Sequence, residues 1–209
     1  ECLGHTFIAA SEDMKESGTS TLALESRIVK LPYAEIPPLE ELEARIAETD
    51  AFLERCAADD PDTARVFGLN FPECMSPAYR AAAVKPLNRW ARWARDLKLG
   101  QTDEAPPTHA EFGVQALRLG DVGIVGMSCE PFDAIGRPIK AAEPLPLVLP
   151  GGYMHDTCLG YVPDSGNNGD IEYMSAFYRY TTTMLPFAQP AGDRLAEVAV
   201  DLLAQIGGR

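Results

Sequence analysis

Ala116-Leu117-Arg118-Leu119-Gly120-Asp121-Val122-Gly123-Ile124-Val125-Gly126-Met127 is the stretch that decides the fold. Two apolar runs, 112–119 and 122–127, flank Gly120-Asp121, and that dipeptide between them predicts a tight β-hairpin. The second run is almost continuously apolar, which predicts a strand buried on both faces. After it, 132–142 reads as a helix, although Gly136 and Pro138 weaken its start, and 145–149 reads as the next strand. Strand, helix and strand within about 30 residues form a βαβ unit with a right-handed crossover. The expected class is therefore α/β, a mixed sheet with flanking helices.

Outward from this centre the periodicity is clear. Residues 22–31 are rich in branched side chains, end at Pro32 and predict a strand. Pro37-Pro38 opens a helix on which Leu39, Leu42, Ile46, Leu53 and Cys56 recur at three- and four-residue steps, and 59–61 stops it. Residues 62–76 read as irregular. A second helix spans 77–99 with Leu87, Trp90, Ala94 and Leu97 on one stripe and a kink expected at Pro86. Trp90 and Trp93 are expected as core or interface anchors. Residues 191–206 form a closing helix with Leu195, Val198, Leu202 and Ile206 as its buried stripe. Residues 1–21, rich in Ser, Thr and Gly, read as an arm or loop.

Composition narrows the function. The chain has 209 residues and is 46% hydrophobic, enough for one substantial core. Its formal charge of −13 argues against nucleic acid, whose phosphates would be repelled. No apolar run approaches the roughly 18 residues of a membrane span, so the expected surface is that of a soluble, bacterial-style domain. Five cysteines without CxxC spacing argue against a zinc ribbon and indicate no disulfide framework. The chain starts at Glu1 without an initiator Met, and it is expected to be a piece of something longer. Compartment stays open.

The strand ends carry the chemistry. In open α/β sheets, ligands gather beyond the C-terminal ends of the strands. Glu130 follows one such end and the 153–161 segment follows the next. A carboxylate and a tyrosine oxygen can both bind a metal ion, and Tyr173, twelve residues after Tyr161, can donate to a developing oxyanion. Each has a plainer alternative. Glu130 can be a helix-start neighbour that meets the macrodipole. Tyr161 and Tyr173 can be packed rings, in a run that also holds Tyr178 and Tyr180. His155-Asp156 is a further candidate pair for metal or base chemistry. Cys129, Cys158 and His155 together raise Cys–His catalysis as a different possibility.

In this order, the hairpin, Cys129-Glu130-Pro131-Phe132, Gly160-Tyr161-Val162-Pro163, Glu172-Tyr173 and the Ala191-Gly192-Asp193-Arg194-Leu195 helix resemble the catalytic domain of the neutral/alkaline ceramidase family. The resemblance covers 22–206 and is strongest from residue 110 onward. It implies a zinc-dependent amidase that cleaves an N-acyl bond, with a lipid amide among the candidate substrates. It also implies that Glu130 and Tyr161 are zinc ligands and that Tyr173 stabilises the tetrahedral intermediate. The family's two metal-binding histidines belong to an N-terminal half with no counterpart in this chain, and His5, His109 and His155 do not match their motifs. Cys129 stands where the family has Gly, and 153–158 are extra. The family's C-terminal Ig-like domain has no counterpart among these 209 residues. On the resemblance, residues 22–209 are the C-terminal half of a larger two-half catalytic domain, and the partner is its N-terminal half, covalent or separate. A non-catalytic member with a degenerate, ligand- or partner-binding site is the alternative reading.

Overall fold

The central hairpin forms as β4 (His109–Leu119) and β5 (Val122–Met127), closed by Gly120 at φ 61°, a left-handed conformation that glycine adopts without strain. The computed structural model of the chain describes residues 2–14, 16, 18–63, 65–66, 69–72, 74–142, 144–154, 158–167, 173–181 and 183–208. A four-stranded sheet runs in the order β1 (Leu22–Pro32), β4, β5, β7 (Leu147–Gly151). β1 and β5 both pair antiparallel with β4, and β7 pairs parallel with β5. Helix α4 (Asp133–Ala141) makes the crossover between the parallel pair, so the architecture is mixed α/β with the βαβ unit in place.

The last strand starts two residues later than its apolar run. Pro146 has no amide to donate and Leu145 turns into the core, so the ladder opens at Leu147, whose amide donates to the Asp121 carbonyl at 3.2 Å. Pro150 is accommodated because β7 is an edge strand.

One sheet face is packed. Val29, Leu31, Phe112, Val114, Ala116, Val125, Met127 and Val148 meet Ile135 and Ile139 of α4 and the Leu195, Val198, Leu202 and Ile206 stripe of α5 (Asp193–Gly207). The other face is largely uncovered by the described residues, which corrects the expectation for β5. Cross-strand register stacks Leu22, Leu119, Val122 and Leu147 in one row and Leu24, Leu117, Ile124 and Leu149 in the next. With Ile28, six of these side chains are 46–72% exposed, whereas aliphatic residues on a strand are expected to be covered. The sequence shows that β5 is apolar on both sides but not which layer covers the second side.

A second cluster joins the remaining helices. α2 (Leu39–Ala57) and α3 (Pro77–Leu99) pack through Leu42, Ile46, Trp90 and Ala94. Ser76 caps α3 and Gly100 ends it at φ 65°. The helix runs continuously through Pro86. Trp90 is the expected anchor, with its indole N–H donating to the Met184 carbonyl at 2.9 Å. Residues 62–76 carry a short hairpin, Arg65–Val66 with Leu69–Asn70 (β2 and β3), where irregular chain was expected. The 1–21 segment is not all loop, because Cys2–Glu12 is helical (α1). Leu3 and Phe7 stand one turn apart on it and Ala9-Ala10 favour helix, while glycines and hydroxyls concentrate after residue 16. Among the described residues, no helix is long and apolar enough to cross a membrane.

Candidate functional site

Past Met127 the chain leaves the main sheet. Gly113 and Ser128 exchange two bonds, the Ser128 amide donating to the Gly113 carbonyl at 3.0 Å and the Gly113 amide to Ser128 Oγ at 2.8 Å. Glu130–Pro131 (β6) then pairs in parallel with Tyr161–Val162 (β8), and Glu130 stands directly opposite Tyr161. The Glu130 amide donates to the Gly160 carbonyl at 2.8 Å, and the Leu159 amide to the Ser128 carbonyl at 3.1 Å. Thirty-one positions apart in sequence, the two proposed ligands are therefore neighbours fixed by backbone ladders.

Gly160 explains how the aromatic wall reaches them. It sits at φ 91°, and a Cβ there would lie 2.1 Å from the Phe177 ring, so only glycine lets that ring seat on the backbone. Phe177 belongs to the 3₁₀ turn Phe177–Tyr180. Around it, Tyr161 and Tyr173 meet edge to face at 5.7 Å between centroids, Tyr161 and Phe177 at 5.5 Å, and Tyr173 and Tyr180 at 5.0 Å. The structure thus brings Glu130, Tyr161 and Tyr173 together. The packed-ring reading of the tyrosines is also part of the geometry, since the rings form the wall.

The electrostatics centre on Glu130. Its carboxylate is hydrogen-bonded by the phenols of both Tyr153 and Tyr161. That bond, then lost solvation, then the carboxylate charge push Tyr153 up to about 12 and raise Tyr161 as well. A cavity of about 480 Å³ opens beside them, lined by Glu130, Tyr153, Cys158, Phe177, Thr181 and Met184. A recess of about 630 Å³ lies at the other end of β7, lined by Lys140 and 144–148, away from these groups.

Glu130 and Tyr161 offer two oxygen donors side by side. A catalytic zinc takes three protein ligands. Among the described residues no group of three His, Cys, Asp or Glu converges. His155 and Asp156 lie outside the described residues. His109 is engaged elsewhere, with Thr108 Oγ1 at 2.9 Å from Nδ1 and Glu111 at 3.5 Å from Nε2. His5 lies on the exposed helix α1.

Cys–His catalysis through Cys129 meets a physical obstacle. Its thiol is wholly buried, and burial, with the Cys158 and Glu130 charges, pushes it up to about 12. A nucleophilic cysteine needs the reverse, a lowered pKa and access. Cys129 is a small apolar core residue whose backbone, not its sulfur, serves the site.

Tyr153 is the site residue that sequence reasoning missed. Its local signal is only a tyrosine after Gly151-Gly152, and the bond to Glu130 depends on a turn fixed by distant residues.

No family model matches the chain, and no curated protein matches it. Two solved structures resemble it in part. A structure described as ceramidase complexed with C2 is 18% identical, covers 49% of this chain and 15% of its own, and superposes with a TM-score of 0.32. The neutral ceramidase of Pseudomonas aeruginosa is 16% identical, covers 96% of this chain and 30% of its own, with a TM-score of 0.46. The chain therefore spans less than a third of the length of either protein. Similarity at this level carries nothing about chemistry, which rests on the side chains.

Proposed function

We propose that this chain supplies part of the active site of a zinc-dependent amide hydrolase that cleaves an N-acyl bond. The observation that carries the reading is the β6–β8 register, which sets Glu130 against Tyr161 with a shared hydrogen bond and Tyr173 on the Tyr161 ring. Glu130 and Tyr161 would hold the metal. Zinc bound there supplies Lewis-acid polarisation of the scissile carbonyl and acidifies the attacking water. Tyr173 would donate from its phenol to the oxygen on which negative charge develops. The Phe177 and Met184 side of the cavity gives an apolar lining suited to an acyl chain.

The partner we propose is the N-terminal half of the same catalytic domain, covalently continuous or separate. Two ligands leave a catalytic zinc short of protein ligands. The bare sheet face offers the place for that half to dock. Six of its aliphatic residues are 46–72% exposed, a contiguous apolar surface of the kind that marks a docking site. The face leads to the site: Met154 lies over Gly126 and Gly151 at its upper edge, and the next residue back is Tyr153.

Activity of the native assembly toward an N-acyl amide tests the reading. A chelator should abolish turnover and added zinc restore it, while a thiol reagent leaves it intact. Turnover that survives chelation overturns the proposal, and turnover lost to the thiol reagent alone returns the chemistry to Cys158. An assembly with neither zinc nor turnover would be a binding protein.

A further inference from the structure

We infer that the chain self-associates through the free edge of β1, which pairs antiparallel with β1 of a second copy about a two-fold axis. In that pairing Ser26 faces the partner's Ser26, and Glu25 faces the partner's Arg27. The inference stands apart from the zinc reading, because it uses the sheet edge and not the site.

β1 is an edge strand, and its hydrogen-bonding phase can be read from its two ends. The Gly120 amide donates to the Thr21 carbonyl at 2.8 Å, and the Tyr33 amide to the Thr108 carbonyl at 3.0 Å. Odd-numbered residues between them therefore exchange bonds with β4, while Leu22, Leu24, Ser26, Ile28 and Lys30 aim N–H and C=O outward. Pro32 keeps the same phase, since its carbonyl accepts from the Ala188 amide at 2.9 Å on the outer side. There 186–188 cover the edge. From Leu22 to Lys30, no described residue bonds the outward backbone groups. Natural edges are blunted by proline, bulges or brevity. β7, at the opposite edge, is five residues long and holds Pro150. β1 runs for 11 residues in unbroken register with β4 and has no proline before Pro32. An edge of this kind is a template for another strand.

Side-chain chemistry selects the occupant and the register. Glu25 and Arg27 lie on the packed side of β1, where Arg27 reaches Asp201 of α5 at 3.8 Å. Pairing about Ser26 sets Glu25 against the partner's Arg27 on both sides of the axis. These are positions without direct hydrogen bonds, where cross-strand side chains approach most closely. The same register sets Leu24 against the partner's Ile28 on the uncovered face, where they are 54% and 53% exposed in one copy. It also gives every outward amide from Leu22 to Lys30 a carbonyl. Moving the axis by one residue sets Glu25 against Glu25 or Arg27 against Arg27, which repels. The contact is isologous, so association stops at two copies. It joins two sheets into one and leaves their uncovered face open to the N-terminal half.

Sedimentation and cross-linking of the native assembly test the inference. The unsubstituted protein should carry two copies of this chain per particle at micromolar concentration. Ser26→Cys sets two thiols on the axis with Cα atoms about 5.5 Å apart, within disulfide range. Oxidation should then link two copies on non-reducing electrophoresis, beyond any link that the exposed Cys74 and Cys158 make in the unsubstituted protein. Arg27→Glu should raise the dimer dissociation constant about tenfold or more, because two attractive pairs become repulsive. Adding Glu25→Arg to it should restore the dimer. The single and double variants both lose the Arg27–Asp201 contact, so restoration separates strand pairing from that loss. Ser26→Cys chains that do not link, or a double variant that stays dissociated, would overturn the inference. One copy per particle, with slow hydrogen exchange at the Leu24, Ser26 and Ile28 amides, would also overturn it and give the edge to a strand of the N-terminal half. None of these outcomes bears on the zinc reading.

Discussion

Glu130→Gln should yield a folded protein that holds no zinc and hydrolyses no amide. The substitution keeps the shape and removes the charge that balances a dication. It also replaces an acceptor-only group with one that has an N–H₂ side, so one of the two phenols loses its acceptor. The fold is not at stake, because β6 is held by backbone bonds such as that from the Glu130 amide to the Gly160 carbonyl. Elemental analysis and thermal unfolding of the variant check both halves of the expectation. Full zinc occupancy in the variant would remove Glu130 from the ligand set.

Tyr173→Phe should separate chemistry from binding. Loss of one oxyanion donor costs about 10²-fold or more in kcat. Zinc content should stay normal, because the ring contacts with Tyr161, Phe177 and Tyr180 need no hydroxyl. Tyr173 is 42% exposed, so the substitution opens no cavity in the core. Rate per folded molecule and Tm, measured side by side, give the answer. A purely structural tyrosine would lower Tm and leave the rate unchanged.

Most of the frame was legible because it is local. Gly120-Asp121 between two apolar runs specifies its hairpin with residues that touch in sequence. Leu42, Ile46 and Trp90 announce their helices by spacing and then meet in one cluster. The errors arose where a nonlocal partner decides. β5 reads as buried on both faces, yet Val122 and Ile124 lie in rows with Leu22, Leu24, Leu147 and Leu149 that no described part of this chain covers. The helix at Cys2–Glu12 went unread because the polar character of the whole 1–21 segment outweighed its own Leu, Phe and Ala content.

The site divides the same way. Glu130 and Tyr161 could be named from their places beyond strand ends, although their pairing depends on a two-residue parallel ladder too short to read from sequence. Tyr153 could not be named, since Gly152 matters only once the Cys129 carbonyl and Pro131 are beside it. His155 and Asp156 fall outside the described residues, and their candidacy stands as the sequence left it.

X-ray absorption at the zinc edge of the native assembly tests the central claim most directly, because it reads the atoms bound to the metal. With Glu130 and Tyr161 as ligands, the first shell consists of oxygen and nitrogen at about 2.0–2.2 Å with no sulfur. Tyr161→Phe should then lower the count of light scatterers. A sulfur shell at about 2.3 Å would contradict the account and would make Cys158, on the same cavity wall, the ligand in place of Tyr161.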